Sequence, residues 1–553
     1  MSDTSKSNLQ DFFAIKDGEM QSMERKEIKV NENLSFLLTR LDNRYYATSN
    51  TCTHYGAKLS ESPMTSEGRV ICKWHGACFD LKTGDIEDAP ALDRLRTFDV
   101  SVRDGGVYVK ISQEELENPR LLPKCVKHNP ESKETVVILG GGASGSGAAQ
   151  RLREEGFDGR IRIVSRENYY PIDRIKITKQ LGIDNVNSIL LRPKEFWDNL
   201  DIEFLLNTDV VNVDPKAKTV TLAQGQVWSF DHLILATGGW PRKFGWEGEN
   251  LKNIFTIRTV DDNQKVSKAI EAFTKTTQRK PNLVVVGSSF IGMELVAAAN
   301  EKANTTVIGQ DRVPLANVLG PVVGDAMKRR HESKGVKFVL DAKVTGFKHK
   351  DSDTSAVGSV AVEGRDSVPA DIVILAVGVA PQTSYLEKSG LPLAKDKSLL
   401  VDRYFKVQGS DSIYATGDIA TFTNRLTGKQ MRIEHWAHAE NTGRTVATNI
   451  VKKKSVEFNF VPFFWTVLFG ATLRYCGFAK SFDRVIVQGE TSDIEKMSFV
   501  AYYTKNNNVL AISSYMKDPI VSHCAELLRL GKMPTASEID SGVNPLEIPL
   551  IEI

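Results

Sequence analysis

Two stretches of this chain share one local pattern, and few folds can use it. "TVVILGGGASGSGAAQRLREEG" (residues 135–156) and "PNLVVVGSSFIGMELVAAA" (281–299) each run from an apolar strand through a glycine turn into an Ala-rich helical stretch. Strand, turn and helix in that order make the first half of a βαβ unit, which needs a parallel sheet. In the first stretch Gly140, Gly142 and Gly145 stand in the G-x-G-x-x-G register. The first glycine permits the turn, the second lets a pyrophosphate meet the helix N-terminus, and the third lets helix lie against strand. A second strand, "RIRIVS", ends just before Glu167, 22 residues beyond Gly145, where a carboxylate is placed to hold a ribose hydroxyl. The other stretch repeats the register with Gly287, Ser289 and Gly292, its serine still presenting a backbone amide. Two such units predict two dinucleotides, and the useful pairing is a flavin that stays with a nicotinamide that visits.

A different chemistry stands nearer the front. "CTHYGAKLSESPMTSEGRVICKWHG" holds Cys52-x-His54 and, after seventeen intervening residues, Cys72-x-x-His75. Zinc takes two cysteines and two histidines tetrahedrally, usually with both cysteines in one knuckle. A Rieske [2Fe–2S] centre puts two cysteines on one iron and two histidines on the other. One ligand of each kind per loop favours the iron–sulfur reading, with zinc as the alternative. Gly56 and Gly76 after the histidines let backbone approach a cluster and aim amides at its sulfurs. Cys78 exceeds the four ligands and reads as a small buried hydrophobe. With "CKWHGACFDLKTG" and Pro90, residues 25 to 110 resemble the Rieske ferredoxin family. Ala57 and Trp74 occupy the positions where high-potential Rieske proteins have a disulfide, so the resemblance is to the low-potential type.

The totals exclude other classes. With 71 basic and 69 acidic side chains the net charge is +2, so no field built for nucleic acid is present. No run of about 18 apolar residues predicts a membrane span. Six cysteines, two of them in the front motif, make no disulfide framework. The N-terminus lacks a signal-peptide core, so a cytoplasmic location is expected, with a mitochondrial one as the alternative.

Later motifs narrow the family. "FDHLILATGGWP" and "IYATGD" resemble the two later FAD signatures of pyridine-nucleotide-dependent flavoprotein reductases, and "ENYYPIDRIKITK" resembles the P-x-x-R-x-x-x-x-K element of their ferredoxin-reductase-like branch. With the Rieske module in front, the chain resembles the apoptosis-inducing-factor-like flavoproteins that carry an N-terminal Rieske domain. That resemblance implies that Gly140, Gly142, Gly145, Glu167 and Arg174 hold the ADP half of FAD and that Asp418 accepts from its ribityl chain. It implies that Lys179 and Glu294 pair beside the flavin N5, where hydride arrives. It also implies that a helix starting near His435 aims its N-terminus at the flavin, with Trp436 covering the ring. A helix N-terminus carries about half a positive charge, which suits an anionic reduced flavin. The resemblance makes Trp465 in "PFFWT" a second candidate to cover the ring, though it reads more readily as a core aromatic. Lysines 452–454 read as the cationic end of that helix.

One departure concerns the nicotinamide. The family's glutamate after the second strand is replaced by Gly309 in "TTVIGQDR", with Arg312 three residues on, so NADH and NADPH are both open. No cysteine lies between Cys125 and Cys476, so paired thiols beside the flavin are missing and electrons must leave another way.

The expected architecture is multidomain: an all-β Rieske domain, two Rossmann-like α/β nucleotide-binding domains and an α+β C-terminal domain. The expected boundaries are a polar tail at 1–20, the Rieske domain at 21–112, a linker at 113–134, FAD-binding parts at 135–250 and 371–455, the NAD(P) domain at 251–370, and the C-terminal domain at 456–553. The expected activity is electron transfer from NAD(P)H through FAD and the [2Fe–2S] cluster to an unidentified one-electron acceptor, with a protein as one option. A homodimer is one option for assembly. The alternative is a redox-gated signalling flavoprotein linked to cell death.

Overall fold

The computed structural model describes residues 9–425, 428–453 and 456–552. At the front, a six-stranded antiparallel sheet runs in the order Gln10–Lys16, Gly106–Ile111, Thr97–Arg103, Arg44–Ser49, Ser35–Leu41, Glu24–Lys29. Its centre is closed by Phe36, Leu37 and Leu38, all fully buried. A three-stranded sheet, Arg69–Ile71, Cys78–Asp80 and Ile86–Asp88, carries the second Cys–His loop at its edge.

Two parallel sheets follow. The first orders Ile202–Leu205, Arg160–Val164, Thr135–Leu139, His232–Leu235 and Ile413–Ala415. The second orders Ile254–Thr256, Ile372–Leu375, Asn282–Val286, Asn304–Ile308 and Lys337–Val339. The central strand of each is one of the two apolar runs before a glycine turn, as a sheet buried on both faces requires. A five-stranded antiparallel sheet, Phe463–Leu468 to Tyr515, with the helix Ile520–Leu530, closes the chain.

Several expectations need correction. Residues 10–16 are not tail but an edge strand paired with 106–111. Their partner lies far along the chain, and "QDFFAIK" alternates too weakly to reveal a strand alone. Residues 1–8 of the expected tail lie outside the described residues. The linker is structured: Ser112 and Glu115 form a capping box on the short helix Gln113–Glu117, and Arg120–Leu121 pairs with Arg94–Leu95. The S-x-x-E spacing was the available signal. "DIVIL" does not resume the flavin half but inserts Ile372–Leu375 into the nicotinamide sheet, beside Asn282–Val286. An all-apolar strand suits either parallel sheet, and nothing local selects its neighbour. The helix near His435 runs Trp436–Lys452. Lys454 and the boundary at 455 lie outside the described residues.

The front all-β domain is fastened to the rest on several sides. Arg192 pairs with Asp93 at 2.6 Å, the Ala89 amide donates to Asn441 Oδ1 at 2.9 Å, and Arg474 Nε donates to the Trp74 carbonyl at 2.6 Å. The end of the chain returns to it, with the Ser66 amide donating to the Leu550 carbonyl at 2.9 Å. Among the described residues no helix is long and apolar enough to cross a membrane.

Candidate active site and cluster site

The two Cys–His loops are built alike. The Cys52 amide donates to the Ala57 carbonyl and the Gly56 amide to the Cys52 carbonyl; Cys72, Ala77 and Gly76 repeat both bonds. Each turn closes at φ +86° for Gly56 and +73° for Gly76, which a side chain rarely adopts. The repetition brings like ligands together. Cys52 and Cys72 lie within hydrogen-bonding reach of each other, both 1% exposed, and His54 Nδ1 faces His75 Nδ1 at 3.0 Å. Hydrogen bonding from Cys52 outweighs burial and pushes Cys72 toward thiolate. Burial, with Arg120 and Lys176 adding to it, holds His54 down to about 3, and His75 is held low chiefly by burial. Metal donors must be neutral imidazoles and deprotonated thiols; within the sulfur pair the shared hydrogen bond lowers Cys72 and, with burial, raises Cys52. Among the described residues no three His, Cys, Asp or Glu surround one point; the donors come as a sulfur pair and a nitrogen pair. That sorting fits two irons with two protein ligands each rather than one tetrahedral zinc.

The main cavity, about 370 Å³, runs from the first glycine turn to the C-terminal sheet. Gly140, Gly142, Glu167, Arg174, Lys179, Glu294, Asp418 and Trp436 line it. The glycine roles separate sterically. A Cβ on Gly140 would sit 2.3 Å from the Ala236 carbonyl oxygen and one on Gly145 1.9 Å from that of Gly140, while one on Gly142 would meet open space. The open position is where a ligand's phosphates can approach the helix, so the cradle fits a dinucleotide. Gly287 and Gly292 repeat the two crowded positions, at 2.2 and 2.0 Å, and Ser289 caps the second helix in extended backbone.

A polar chain lines the cavity wall. Glu167 accepts two bonds from Arg174, at 2.7 and 2.6 Å, so Arg174 holds its carboxyl below the usual range although burial opposes this. Arg174 also donates to the Arg258 carbonyl at 2.7 Å, and Arg258 pairs with Asp418 at 3.4 Å. Farther along, Lys179 pairs with Glu294 at 2.6 Å. Thr466 donates to the same carboxylate at 2.6 Å, and Thr178 donates to its other oxygen. Helix 436–452 begins at the cavity without a side-chain cap on its first amides. Burial depresses His435 to about 4, so the positive potential there comes from the helix.

The pattern of the pyridine nucleotide-disulphide oxidoreductases matches residues 134–443, and that of the Rieske [2Fe-2S] domain matches 10–99. The chain belongs to the pyridine nucleotide-disulphide oxidoreductases. It is an oxidoreductase with a Rieske domain; the family binds FAD and NAD(P)H, and the domain carries [2Fe–2S]. It is 34% identical over 533 residues to Apoptosis-inducing factor 3 of Homo sapiens, covering 95% of this chain and 84% of that protein. A ferredoxin reductase from Rhodopseudomonas palustris has a similar structure, with 26% identity, TM-score 0.68 and coverage of 73% of this chain and 97% of that one. The putidaredoxin reductase–putidaredoxin complex gives 25% identity, TM-score 0.67 and coverage of 74% and 99%. In this oxidoreductase no cysteine lines the described cavity.

Local sequence carries no signal for Thr178, Thr466 or Arg258, and it favours core packing over a site role for Trp465. Trp465 is buried like a core aromatic, yet it lines the cavity, and its ring lies 4.3 Å from that of His75. Thr178 and Thr466 hold Glu294, and Arg258 links Arg174 to Asp418. Single threonines and arginines carry no local signal for such partners. For Trp465 the hint was the family resemblance.

Proposed function

We propose that NADH or NADPH delivers reducing equivalents to the cavity and that single electrons then pass within the chain to the Rieske domain, for release to a one-electron acceptor. FAD accepts two electrons as hydride and yields them singly, while a [2Fe–2S] centre carries one. The observation that carries this reading is Trp465, which touches the cavity on one side and the His75 ring on the other. Gly140, Gly142, Gly145, Glu167, Arg174 and Asp418 would hold FAD, with Trp436 against its ring. Cys52, Cys72, His54 and His75 would hold the cluster. Lys179 and Glu294 would act as the catalytic pair, an ammonium kept in place by a buried carboxylate where the nicotinamide meets the flavin. Gly287, Ser289 and Gly292 would receive the nicotinamide nucleotide. No acid stands at Gly309, where a Cβ would sit 2.5 Å from Ser288 Oγ, and Arg312 is exposed. Both features support use of NADPH beside NADH.

The test is an anaerobic titration of the purified protein with each nucleotide, following flavin absorbance and low-temperature EPR. A reduced Rieske signal that grows only after flavin bleaching is expected. Flavin bleaching beside an EPR-silent cluster would break the internal route. The 34% identity to Apoptosis-inducing factor 3 favours a second reading, a redox-gated signal in cell death. Slow turnover with every acceptor, with an oligomeric state that changes on reduction, would select it.

A further inference from the structure

Both cluster histidines lie between Trp465 and Tyr55, His75 nearer the tryptophan (4.3 against 5.8 Å between ring centroids) and His54 nearer the tyrosine (4.0 against 5.4 Å). His75 is 7% exposed and turned toward Trp465 and the cavity. His54 stacks on Tyr55, with ring centroids 4.0 Å apart and planes 16° from parallel, and Tyr55 is 42% exposed. Trp74, Trp465 and Arg474 close the flavin side, with Arg474 Nε bonded to the Trp74 carbonyl. A partner therefore reaches the cluster loops from the Tyr55 side.

The rim of that side is basic. Lys176 places its ammonium 5.9 Å from the Tyr55 ring centroid. Arg120 is exposed on the strand paired with Arg94–Leu95, next to Asp93, whose carbonyl accepts from Thr53 at 2.6 Å. Its side chain has no hydrogen-bond or ion-pair partner among the described residues. Asp173, the carboxylate touching Tyr55, is 9% exposed; its Oδ2 accepts from the Tyr55 hydroxyl and lies 3.9 Å from the Lys176 ammonium. An exposed aromatic beside the unpaired side chain of Arg120 and the Asp173-paired, 37%-exposed side chain of Lys176 suits a partner with an acidic face, because opposite charges steer encounter and a ring gives contact area.

We propose that the Tyr55 face, bounded by Arg120 and Lys176, is the docking surface for an acidic one-electron acceptor protein, served from the His54 side of the cluster. One electron leaves the reduced cluster and reduces one acceptor centre, with no bond made and no proton moved. This rests on the internal route proposed above.

The acidic haem domain of cytochrome b5 is the probe, and basic cytochrome c is the opposite-charge control. Plant-type ferredoxins, near −400 mV, lie too low to accept from a Rieske centre at roughly −150 mV or above. Fluorescence anisotropy of the labelled haem domain, titrated with oxidised holoprotein without nucleotide, gives binding free of turnover. Saturable binding that weakens between about 50 and 200 mM salt is expected. The doubly substituted Arg120→Glu/Lys176→Glu protein should bind roughly tenfold more weakly, with Lys348→Glu unchanged. The milder Arg120→Gln/Lys176→Gln pair should lose less, and an unaltered EPR spectrum after dithionite confirms an intact cluster in each. Equal affinity for wild type and both double variants, or tighter binding of cytochrome c, would overturn the proposal. A failed anaerobic titration would instead remove the internal route and leave the binding result standing.

Discussion

At the first glycine turn, residues 143–150 are all buried because helix 436–452 crosses them: the Glu440 side chain lies against Gly147, and a Cβ on Gly443 would sit 2.1 Å from the Ser144 carbonyl oxygen. At the second, Ser289 is exposed and Phe290 and Ile291 are half-buried. Yet the local backbones agree. Gly140 donates to the Val164 carbonyl and Gly287 to the Ile308 carbonyl, each at 2.8 Å. The motif sets the shape of a phosphate cradle, and the neighbouring helix decides whether what sits there can leave. A covered cradle suits a resident flavin, and an open one suits a visiting nicotinamide.

The hardest test of this comparison places valine in both turns. Gly145→Val and Gly292→Val force the same overlap with a carbonyl oxygen. The first should purify without flavin absorbance. The second should keep its flavin and lose bleaching by NADH and NADPH by about 100-fold or more, ~2.7 kcal/mol. If the second also purifies without flavin, the two halves are not independent.

Lys179→Met probes the seam between them. Glu294, 6% exposed, would be left without its cation, held only by threonines. Urea unfolding followed by flavin fluorescence should show a loss of about 3 kcal/mol, the low end for a buried pair because the Lys179 side chain is 21% exposed. An unchanged midpoint would mean the pair is solvated.

The cover itself has a pH signature. Burial, opposed by Arg444, lifts the Glu440 carboxyl from 4.5 to about 8. The folded state therefore binds a proton that the unfolded chain has lost, and stability falls as pH rises from about 4.5 to about 8, then levels. Melting of wild type should drop between pH 6 and pH 8 relative to Glu440→Gln, whose difference from wild type should grow with pH and then flatten. Parallel curves would show that Glu440 is charged beneath the helix.

Ser289→Gly should do least. Ser289 has φ −91°, so glycine is not required there. The nicotinamide KM should move by roughly threefold or less, ~0.6 kcal/mol, with flavin content unchanged. A tenfold gain would make the serine a steric gate.

The parts legible in the sequence were those that act over a few residues. Glycines at fixed spacing were visible because a turn and a close helix–strand contact exclude Cβ atoms locally. Cys52, His54, Cys72 and His75 were visible because each loop closes on itself. The Lys179–Glu294 pair spans 115 residues and rested on family resemblance, not on any local pattern. Trp465 looked like a core residue, which it also is; its place between cavity and His75 exists only once the C-terminal sheet meets the Rieske loops. The neighbour of "DIVIL", the partner of residues 10–16 and the helix over the first turn were likewise set by surfaces from distant segments. By itself the sequence determined the two glycine turns and the two Cys–His loops, because sterics and hydrogen bonds within a turn leave few choices. Which cradle is covered, and what lies between cavity and cluster, only the tertiary structure decided, because burial depends on which apolar faces meet.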